Sequence, residues 1–552
     1  MTSTKTDVLI VGAGPVGLSL AIELGTRGIS VVVVERNARG GVAPRAKTLN
    51  VRSRTHLRRW GIADRVAAAS PLGIDYPADV RFVTSLAGLP LAHFPNMANM
   101  SPQKSQFYPE HAQWIPQYLL EKILLEHASG LPGVVVHFNT TFSDATQFAD
   151  GVKAVIVDAN DTSRCVEARY MVGADGARSA TRKIIGAQME GRAGLSSHYN
   201  IVFRAPGLDR AHRHGPANMY WQIGPRGVTI VAPLDKGDLW AFGTSGVSEF
   251  EKLSETQAVK LIAAATGIDL PYEILQTDRW TASELLADKY QDGNIFIAGD
   301  AAHLHPPFGG FGMNMGIGDA VDLGWKIAAT LQGWGGKRLL SSYEAERRPM
   351  AKAVIGEAMQ NYAGMGKPPP LPVELADDSP HGEAVRARIG AMLQQSRARE
   401  FYTLGTVLGL PYTESPVIVG VTQAAAQPHD GQNYVPSATP GSLAPHAWLE
   451  DGRSLYDLFG SGFALLVQEG ALEADIESAQ EDAKRIGAPL ALVRLSGLSL
   501  SATYREPLHL IRPDQHVAWH GPRWTSAIFQ AAGWPDHDEF ESNQETVAGV
   551  QR

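Results

Sequence analysis

The stretch DVLIVGAGPVGLSLAIELGTRGISVVVVE, residues 7–35, decides the fold of the 552-residue chain. Its ends, residues 7–11 and 29–35, have the continuous apolar character of strands that are buried on both faces of a parallel sheet. Residues 16–25 between them are predicted to form a helix that ends near Gly28. This order of strand, helix and strand predicts a βαβ unit, and therefore a Rossmann-like α/β domain at the start of the chain.

The same stretch contains GAGPVG, a GxGxxG sequence formed by Gly12, Gly14 and Gly17. These glycines allow a tight turn and a close approach of the backbone to a pyrophosphate, which the free N–H groups of the helix start can bind. About 20 residues further on, Glu35 ends the second strand, where its carboxylate can accept hydrogen bonds from a ribose diol, and Arg36 follows it. The spacing predicts a dinucleotide site; the alternative is a turn required only for packing.

Composition and charge limit the class of protein. Hydrophobic residues make up 44% and charged residues 19% of the chain, as in a globular protein with roughly three or four domains. The formal net charge is −8 without a long basic run, which argues against nucleic acid as a partner. No stretch approaches the roughly 20 apolar residues of a membrane-spanning helix. The single cysteine, Cys165, excludes an intrachain disulfide and a cysteine-rich zinc site, which is typical of a protein in the reducing cytoplasm. Together with the lack of a long apolar stretch, this leads us to expect a soluble cytoplasmic protein.

The pattern of strands and helices changes along the chain. YMVGADGARSATR, residues 170–182, is a strand followed by a turn that contains Asp175 and Gly176. From about residue 200 to 245, short alternating runs such as MYWQI and VTIVAPL predict an antiparallel sheet inserted between α/β segments. From about residue 440 onward, strands and helices alternate again in a separate C-terminal block.

The stretch AGDAAHLHPPFGGFGMNMGIGDAVDLGWKIAAT, residues 298–330, combines a strand end, a double proline, three glycines and a helix predicted to begin near Gly316. His303 and His305, with a carboxylate close by, could bind a metal ion. Neither a second cluster of ligands nor a cysteine supports this, so no metal site is predicted. The favoured role of His303 is a hydrogen bond that supports the loop.

With these three motifs in this order, the chain resembles the class A flavoprotein aromatic hydroxylases, specifically the phenol-hydroxylase-like FAD-dependent monooxygenases. The resemblance covers nearly the whole chain, and residues 299–329 are its most specific segment. Further similar segments are QYLLEKIL (117–124), YEAERRP (343–349), LGLPYTESPVIV (408–419), PGSLAPHAWLEDG (440–452), YDLFGSGFALL (456–466) and IRPDQHVAWH (511–520). The C-terminal segments imply the thioredoxin-like domain of this subfamily, which we expect to be structural because it has no CxxC sequence.

The resemblance implies an α/β fold with a Rossmann-like FAD-binding domain, an inserted antiparallel-sheet substrate domain and the C-terminal thioredoxin-like domain. The expected boundaries are residues 1–75, 110–190 and 285–365 for the discontinuous FAD-binding domain, 76–109 and 191–284 for the substrate-binding domain, 366–435 for a helical connector and 436–552 for the thioredoxin-like domain.

The resemblance also implies roles for individual residues. Asp300 would bind the ribityl hydroxyls of FAD, and the glycines before the helix would let the backbone lie against the flat flavin ring. The helix start would direct its unpaired N–H groups at the electron-rich edge of the reduced ring. The residues expected to contact FAD are Gly12, Gly14, Gly17, Glu35, Arg36, Arg45, Gln117, Asp175, Asp300, Pro307, Gly312, Met313 and Asn314.

The implied reaction is hydroxylation of an activated, phenolic ring by O₂ and NAD(P)H through a C4a-hydroperoxyflavin. The candidate catalytic residues are Arg45, in a loop close to the flavin, Pro306, which helps to keep the oxygen-reacting face dry, and Tyr220 of the inserted sheet. His198 and Trp221 are further candidates from that sheet. Since the chain has one dinucleotide fingerprint, NAD(P)H is expected to dock transiently. The expected partners are a small aromatic substrate and O₂, without a nucleic acid or membrane partner, and the family implies a homodimer.

Two other functions remain open at this point. One is an FAD-dependent dehydrogenase or reductase on the same scaffold that inserts no oxygen, and the other is a flavin-binding protein without turnover. A halogenase is disfavoured because the chain lacks a WxWxIP-type motif. The sequence leaves open the substrate's identity, the choice between NADH and NADPH, and the residue that activates the substrate.

Overall fold

The structure is a computed structural model that describes residues 3–38, 46–224, 227–245, 253–364, 372–420, 429–495 and 502–534. Up to residue 184 its elements are β1 (Ser3–Val11), α1 (Pro15–Gly25), β2 (Val31–Val34), β3 (Thr48–Leu49), α2 (Val51–Arg59), α3 (Ala63–Ala69), β4 (Val80–Val83), β5 (Pro90–Phe94), β6 (Gln113–Trp114), α4 (Gln117–Ser129), β7 (Val134–His137), β8 (Thr141–Phe148), β9 (Gly151–Val157), β10 (Ser163–Gly173) and α5 (Ala180–Ile184).

The middle of the chain contains β11 (Met189–Arg204), β12 (Met219–Gly224), β13 (Gly227–Pro233), β14 (Leu239–Ser245), α6 (Glu255–Thr266), β15 (Glu273–Ala287), β16 (Gln291–Asp292), β17 (Ile295–Ile297) and β18 (His303–Leu304). The remaining elements are α7 (Gly312–Leu331), α8 (Lys337–Ala363), α9 (Pro380–Phe401), α10 (Leu404–Leu408), β19 (Phe463–Val467), α11 (Glu473–Arg485), β20 (Leu490–Arg494), β21 (Leu508–Ile511), β22 (Val517–Gly521) and α12 (Ala527–Ala531). Within the described ranges, no helix is long and apolar enough to cross a bilayer.

The first sheet confirms the predicted βαβ unit. Its strands follow the order β16-β17-β10-β1-β2-β7, and the β8–β9 hairpin continues from β10. The pairs β17/β10, β10/β1, β1/β2 and β2/β7 are parallel. The valine run of β2 is buried along its whole length, as expected of a parallel strand that is covered on both faces. The helix between β1 and β2 begins at Pro15, one residue earlier than predicted.

The second sheet confirms the predicted inserted sheet, but it is larger than the alternating runs indicated. Its order is β18-β15-β11-β14-β13-β12-β4-β5, and all of its pairs except the parallel β12/β4 are antiparallel. The long strands β11 and β15 pair with each other between residues 189–204 and 273–287. The strands β4 and β5 therefore share a sheet with β11–β15, although about 95 residues separate them in sequence. The domain boundaries themselves stay a prediction.

The side chains of the second sheet alternate between two faces. One face, which we call the inner face, includes Phe82, Trp221, Ile223 and Ile230 and packs with Phe308. The other, the outer face, is covered by α6 and includes Tyr199, Phe203, Tyr220, Val231 and Phe242. Because successive residues of a strand point to opposite faces, Tyr220 and Trp221 lie on different sides of the sheet.

The C-terminal domain contains a four-stranded sheet in the order β20-β19-β21-β22. The parallel strands β19 and β20 are connected by α11, and β21 and β22 are antiparallel to their neighbours. Its core is continuous with the end of α7, since Trp325 contacts Phe463 edge-on at a centroid distance of 5.9 Å. Within the expected connector, α9 and α10 are helical, whereas the described residues 409–420 and 429–435 contain no helix; the proline-rich residues 365–371 lie outside the described ranges.

Candidate active site

The predicted cofactor residues follow strands that end at one edge of the first sheet. In the parallel register, Val11 pairs with both Val34 and Gly173, and Gly173 pairs with Ile297. The residues that follow these four strand ends are therefore neighbours in space. They are the glycine loop that begins at Gly12, then Glu35, Asp175 and Asp300. The fold thus brings together motifs that are spread over almost 300 residues of sequence.

The glycine loop is packed so tightly that side chains would not fit at two of its positions. A Cβ atom at Gly12, which has a φ of +108°, would lie 2.3 Å from the carbonyl oxygen of Ala174. A Cβ at Gly17 would lie 1.9 Å from the oxygen of Gly12. In contrast, a Cβ at Gly14 would meet no described atom within 4 Å. The backbone in front of Gly14 therefore faces open space, as a pyrophosphate-binding loop requires.

The start of α1 adds positive potential to this space. Gly14 is the N-cap residue, and in the described chain no side chain caps the helix and its first turn has no acidic residue. Beside it, one carboxylate oxygen of Glu35 accepts a hydrogen bond from the Ala13 N–H at 3.1 Å, and the other accepts bonds from Asn37. Glu35 is thus fixed next to the loop, where a ribose would lie, whereas the Arg36 side chain is exposed.

The DG turn connects the glycine loop to the 298–330 stretch. One oxygen of Asp175 accepts bonds from the N–H groups of Ala180 and Thr181 at the start of α5. Its other oxygen, Oδ1, is buried without a hydrogen-bond partner among the described residues. Arg182 extends from α5 and donates to the carbonyl oxygen of Ala301 at 2.8 Å. The DG motif therefore supports the segment around Asp300 and leaves one carboxylate oxygen for a ligand.

The segment around Asp300 is held by a buried carboxylate of α7. Asp319 Oδ2 accepts bonds from the Gly299 N–H at 3.0 Å and from His303 Nε2 at 2.8 Å, and its Oδ1 accepts from Arg347 Nε at 2.8 Å. This confirms the predicted supporting hydrogen bond of His303. Asp300 itself lies between these two anchored residues with its side chain exposed at the sheet edge.

The loop that follows, residues 305–311, is here called the proline loop. Pro306 is buried and Pro307 is exposed. Gly309 and Gly310 have φ values of +93° and +67°, a conformation that glycine adopts readily. The prediction that α7 begins near Gly316 was wrong, because the helix begins at Gly312 and the proline loop is correspondingly shorter.

The start of α7 resembles that of α1. No side chain caps it within the described residues, and its first turn is free of acidic residues. Asn314 is buried and accepts a bond from the Asn50 N–H while it donates to Thr48 and Gly310 carbonyls. Through these bonds the Asn314 side chain connects Gly310 of the proline loop to the segment of Thr48 and Asn50. Gly312 and Met313, at the start of the helix, are half-buried.

These features test whether the site fits FAD. The open space at Gly14, the uncapped starts of α1 and α7 and the unpartnered Asp175 oxygen are all suited to a ligand with phosphate and hydroxyl groups. Gly309 and Gly310 add no side chains of their own to the proline loop, although the side chains of Phe311 and Thr48 pack close to them. The residues present fit the cofactor.

Not all predicted residues belong to this group. Arg45 lies outside the described residues. The side chain of Gln117 forms hydrogen bonds within the protein: its oxygen accepts from the Ala46 N–H, and its nitrogen donates to Glu121. The structure does not bring Tyr220 to the proline loop: its hydroxyl donates to the Gly215 carbonyl on the outer face, and burial raises its pKa well above the usual value.

The inner face instead carries Trp221 and His198, which the sequence had also offered as candidates. It lies near Phe308 and Tyr362, which the sequence analysis did not single out. Trp221 stacks on Phe82 at 5.3 Å, and Phe308 of the proline loop lies 6.0 Å from Tyr362 of α8. His198 stacks on Trp280 at 4.1 Å, and burial lowers its pKa to about 4, so it is neutral near pH 7. Strand alternation signals that Tyr220 and Trp221 differ in orientation, but it does not tell which of the two faces the cofactor.

Comparison with known proteins identifies the family. The model of the FAD binding domain matches residues 5–358, and that of the aromatic-ring hydroxylase C-terminal domain matches residues 437–535. The 2,4-dichlorophenol 6-monooxygenase of Delftia acidovorans is 30% identical, and the match covers 95% of this chain and 96% of that one. A structure of RebC with bound 7-carboxy-K252c superposes with a TM-score of 0.89 at 33% identity, over 96% of this chain and 99% of that chain.

A ternary complex of aklavinone-11 hydroxylase with FAD and aklavinone superposes with a TM-score of 0.82 at 27% identity, over 97% of this chain and 100% of that one. The expected fold class is therefore confirmed, with its FAD-binding, inserted-sheet and C-terminal parts. FAD is the cofactor, and NAD(P)H is the reductant typical of these monooxygenases. The chain belongs to the class A FAD-dependent aromatic hydroxylases, and it is an aromatic monooxygenase rather than a dehydrogenase on the same scaffold.

Proposed function

We propose that the enzyme hydroxylates an apolar phenolic ring that lies between the inner face of the second sheet and the proline loop. The observation that carries this proposal is the aromatic character of the inner face, where Phe82, Trp221 and Phe401 contact one another at 5.3–6.0 Å. Phe308 of the proline loop belongs to the same cluster. Aromatic side chains of this kind bind planar apolar rings through stacking and edge contacts.

The proposed roles of the cofactor residues follow from their positions. The backbone from Gly12 to Gly17 binds the pyrophosphate, Glu35 binds the adenosine ribose, and Asp300 binds the ribityl hydroxyls. The start of α7 stabilises the electron-rich edge of the flavin with its free N–H groups. Bound FAD supplies the redox chemistry, since it accepts electrons from NAD(P)H and delivers one oxygen atom of O₂ to the ring.

The protein's own contribution is orientation and the exclusion of water. Pro306 is buried and has no N–H group, so the proline loop presents no donor at that point. Around Phe82 and Trp221 the inner face is lined mainly by apolar side chains, with the ion pair of Arg397 and Glu400 beside them. A dry compartment protects a reactive oxygenating group from hydrolysis and side reactions. NAD(P)H docks transiently, because the chain has a single dinucleotide fingerprint and FAD occupies it.

The remaining expectations are part of this proposal. The enzyme acts in the cytoplasm, which the single buried cysteine, Cys165, supports. It acts as a homodimer, a proposal that comes from the family resemblance alone. The domain boundaries given in the sequence analysis divide the chain into the part that binds FAD, the part that binds substrate, the connector and the C-terminal domain.

A substrate panel tests the proposed function. The FAD-loaded enzyme is mixed with NADH or NADPH and with phenols, their O-methyl ethers and non-phenolic aromatic compounds, and both cofactor oxidation and product mass are measured. We expect a phenol to stimulate NAD(P)H oxidation and to gain 16 mass units, while its methyl ether gains none. Stimulated oxidation that yields only hydrogen peroxide with every phenol would contradict the proposed hydroxylation.

A further inference from the structure

A buried ion pair lies at the edge of the aromatic cluster on the inner face. The guanidinium carbon of Arg397 in α9 is 5.8 Å from the centroid of the Trp221 ring. Arg397 Nη1 donates to the carbonyl oxygen of Asn361 at 3.1 Å and lies 3.4 Å from Glu400 Oε2. The side chain of Arg397 therefore contacts β12, the end of α8 and the neighbouring carboxylate at the same time. Trp221, Asn361, Arg397 and Glu400 are each no more than 7% exposed.

The polar groups of this cluster are incompletely paired. In the part of the chain that the structure describes, Trp221 Nε1 and Asn361 Nδ2 are buried donors without an acceptor. Arg397 meets Glu400 through a single long contact. By comparison, Glu357 on α8 forms two bonds of 2.6 and 2.7 Å with Arg399. Buried polar groups normally have partners, so two free donors and a weakly paired carboxylate indicate a place for a polar ligand group.

The cluster adjoins the compartment where the ring is proposed to bind. Phe401, the residue after Glu400, contacts Trp221 edge-on at 6.0 Å. Tyr362, the residue after Asn361, lies 6.0 Å from Phe308 of the proline loop. Arg397, whose guanidinium carbon lies 5.8 Å from the centroid of the Trp221 ring, contacts both Asn361 and Glu400, so a polar substituent of an aromatic molecule bound at Trp221 would approach these residues.

We propose that Glu400 is the general base of the reaction: its carboxylate accepts the proton of the substrate's phenolic hydroxyl, while Trp221 Nε1 and Asn361 Nδ2 donate hydrogen bonds to the substrate oxygen. This inference rests on the proposed function, since it names the residue that activates the phenol. Glu400 would be a catalytic residue because its oxygen touches the hydroxyl, and Arg397 would be a positioning residue that also offsets the charge of the phenolate.

The proton and electron balance is simple. The O–H bond of the phenol breaks, the proton bonds to a carboxylate oxygen of Glu400, and the electron pair stays on the substrate oxygen. That pair raises the electron density of the ring carbons ortho and para to it, one of which receives the oxygen atom. When the product regains its aromatic ring, the carbon that received the oxygen loses its hydrogen as a proton, the electron pair of that C–H bond returns to the ring, and Glu400 returns its proton to the ring oxygen. The proton lost from carbon is taken up when the second oxygen atom of O₂ leaves as water, so this step consumes no additional reactant.

The ionisation of Glu400 suits this role. Burial raises its pKa to about 7, although the charge of Arg397 acts in the opposite direction. The other groups that contact Arg397 are the carbonyl oxygens of Asn361 and Gly364 at the end of α8 and the Trp221 ring of β12. A base with a pKa near the working pH combines a useful deprotonated fraction with adequate basicity.

Substitution at Glu400 tests the proposal, with Glu357→Gln on the neighbouring helix as the matched control. The probes are 2,4-dichlorophenol, 1,4-dihydroxyanthraquinone and the methyl ethers of both. In the wild-type enzyme, we expect kcat/KM to rise with pH and to level off above about pH 7, and the bound phenols to show a phenolate absorption band below their solution pKa. In Glu400→Gln, we expect at least a 100-fold loss of hydroxylation and no such band, because general-base catalysis contributes about 10²–10⁴-fold.

Two further measurements separate a catalytic from a structural role. Glu400→Asp should recover part of the phenolate band and of the rate, and Glu357→Gln should keep the wild-type pH profile. A folded, FAD-loaded Glu400→Gln enzyme that retains the phenolate band and the wild-type profile would overturn the proposal. If wild-type enzyme binds the probes as phenolates without hydroxylating either one, the proposed function fails while Glu400 still stands as the base, so the two failures are distinguishable.

Discussion

Arg512 of the C-terminal domain donates two hydrogen bonds to Glu346 of α8, at 2.6 and 2.8 Å, and both side chains are fully buried. The same guanidinium contacts Asp322 of α7 at 3.0 Å and Asp514 at 2.7 Å. Lys326 completes the group with bonds to Asp322 and Glu346. The three carboxylates lie within 4.8 Å of one another, as metal ligands do, and the cations Arg512 and Lys326 pair with them. The C-terminal domain is thus joined to the FAD-binding domain by charge as well as by apolar packing.

Removal of this cation should destabilise the whole enzyme. Arg512→Met leaves buried carboxylates without their main partner, and breaking such a group costs roughly 3–5 kcal/mol. We expect a loss of this size in urea unfolding of the full chain, followed by both tryptophan and flavin fluorescence. The matched control is Arg453→Met, which removes an exposed ion pair with Asp451 and should change stability by less than about 1 kcal/mol. Equal effects of the two substitutions would contradict the structural role of Arg512.

Asp319→Asn should weaken FAD binding. The carboxylate holds Gly299 and His303 on either side of Asp300, and an amide cannot accept all three of its bonds because its nitrogen is a donor. We expect the dissociation constant of FAD to rise at least tenfold, measured by the fluorescence of released flavin. Asp238→Asn, on an exposed ion pair with Arg204, is the control and should bind FAD as the wild type does. Unchanged affinity in Asp319→Asn would show that Asp300 is positioned without this residue.

Gly17→Ala should abolish FAD binding, whereas a glycine-to-alanine substitution at a position with free space should leave FAD binding unchanged. Its Cβ would lie 1.9 Å from the Gly12 oxygen, so the glycine loop would have to move. Gly356→Ala in α8 is the control, since its Cβ meets no described atom within 4 Å and alanine is favoured in helices by about 1 kcal/mol. We expect the first variant to purify without the yellow colour and the second to purify fully loaded. If the Gly17→Ala variant purified with a full complement of FAD, binding of the cofactor at the glycine loop would be contradicted.

Glu400 should also make the stability of the protein depend on pH. Burial raises its pKa from an ordinary value of 4.5 to about 7, so between these values the folded state holds a proton that the unfolded state has lost. This contribution to the free energy of unfolding therefore decreases as pH rises from about 4.5 to 7, by about 3 kcal/mol in total. Glu400→Gln cannot ionise and should lack that decrease, so urea midpoints should favour the variant above pH 7. Parallel pH profiles of the two proteins would contradict the raised pKa.

The position of the predicted cofactor residues in the first sheet could be predicted from sequence where it depends on a local pattern. A glycine motif between a strand and a helix, with an acid at the end of the next strand, is sufficient to place Gly12 and Glu35. Asp175 and Asp300 follow strands that end at the same edge, a consequence of parallel pairing. The positions of Gly12 and Glu35 follow from this local pattern, whereas Asp300 is also held in place by the bonds of Asp319 to Gly299 and His303.

The ion pairs could not be predicted because their partners are distant in sequence. Arg347 and Asp319 are 28 residues apart, and Arg512 and Glu346 are 166 residues apart. The charged Asp319, Asp322 and Lys326 within an otherwise apolar helix signal that partners exist, but they do not identify them. Similarly, the choice of Tyr220 as a site residue depended on which face of the sheet meets the proline loop, and that is decided by the packing of domains.

Oxygen labelling tests the central claim that this enzyme transfers oxygen from O₂ to an aromatic ring. The FAD-loaded enzyme is allowed to turn over the phenol found by the substrate panel under ¹⁸O₂, with NAD(P)H, in unlabelled water. We predict one ¹⁸O atom in each product molecule, and an unlabelled product when ¹⁸O is supplied only as water. A product whose new oxygen comes from water, or oxidation of the substrate without gain of oxygen, would contradict it.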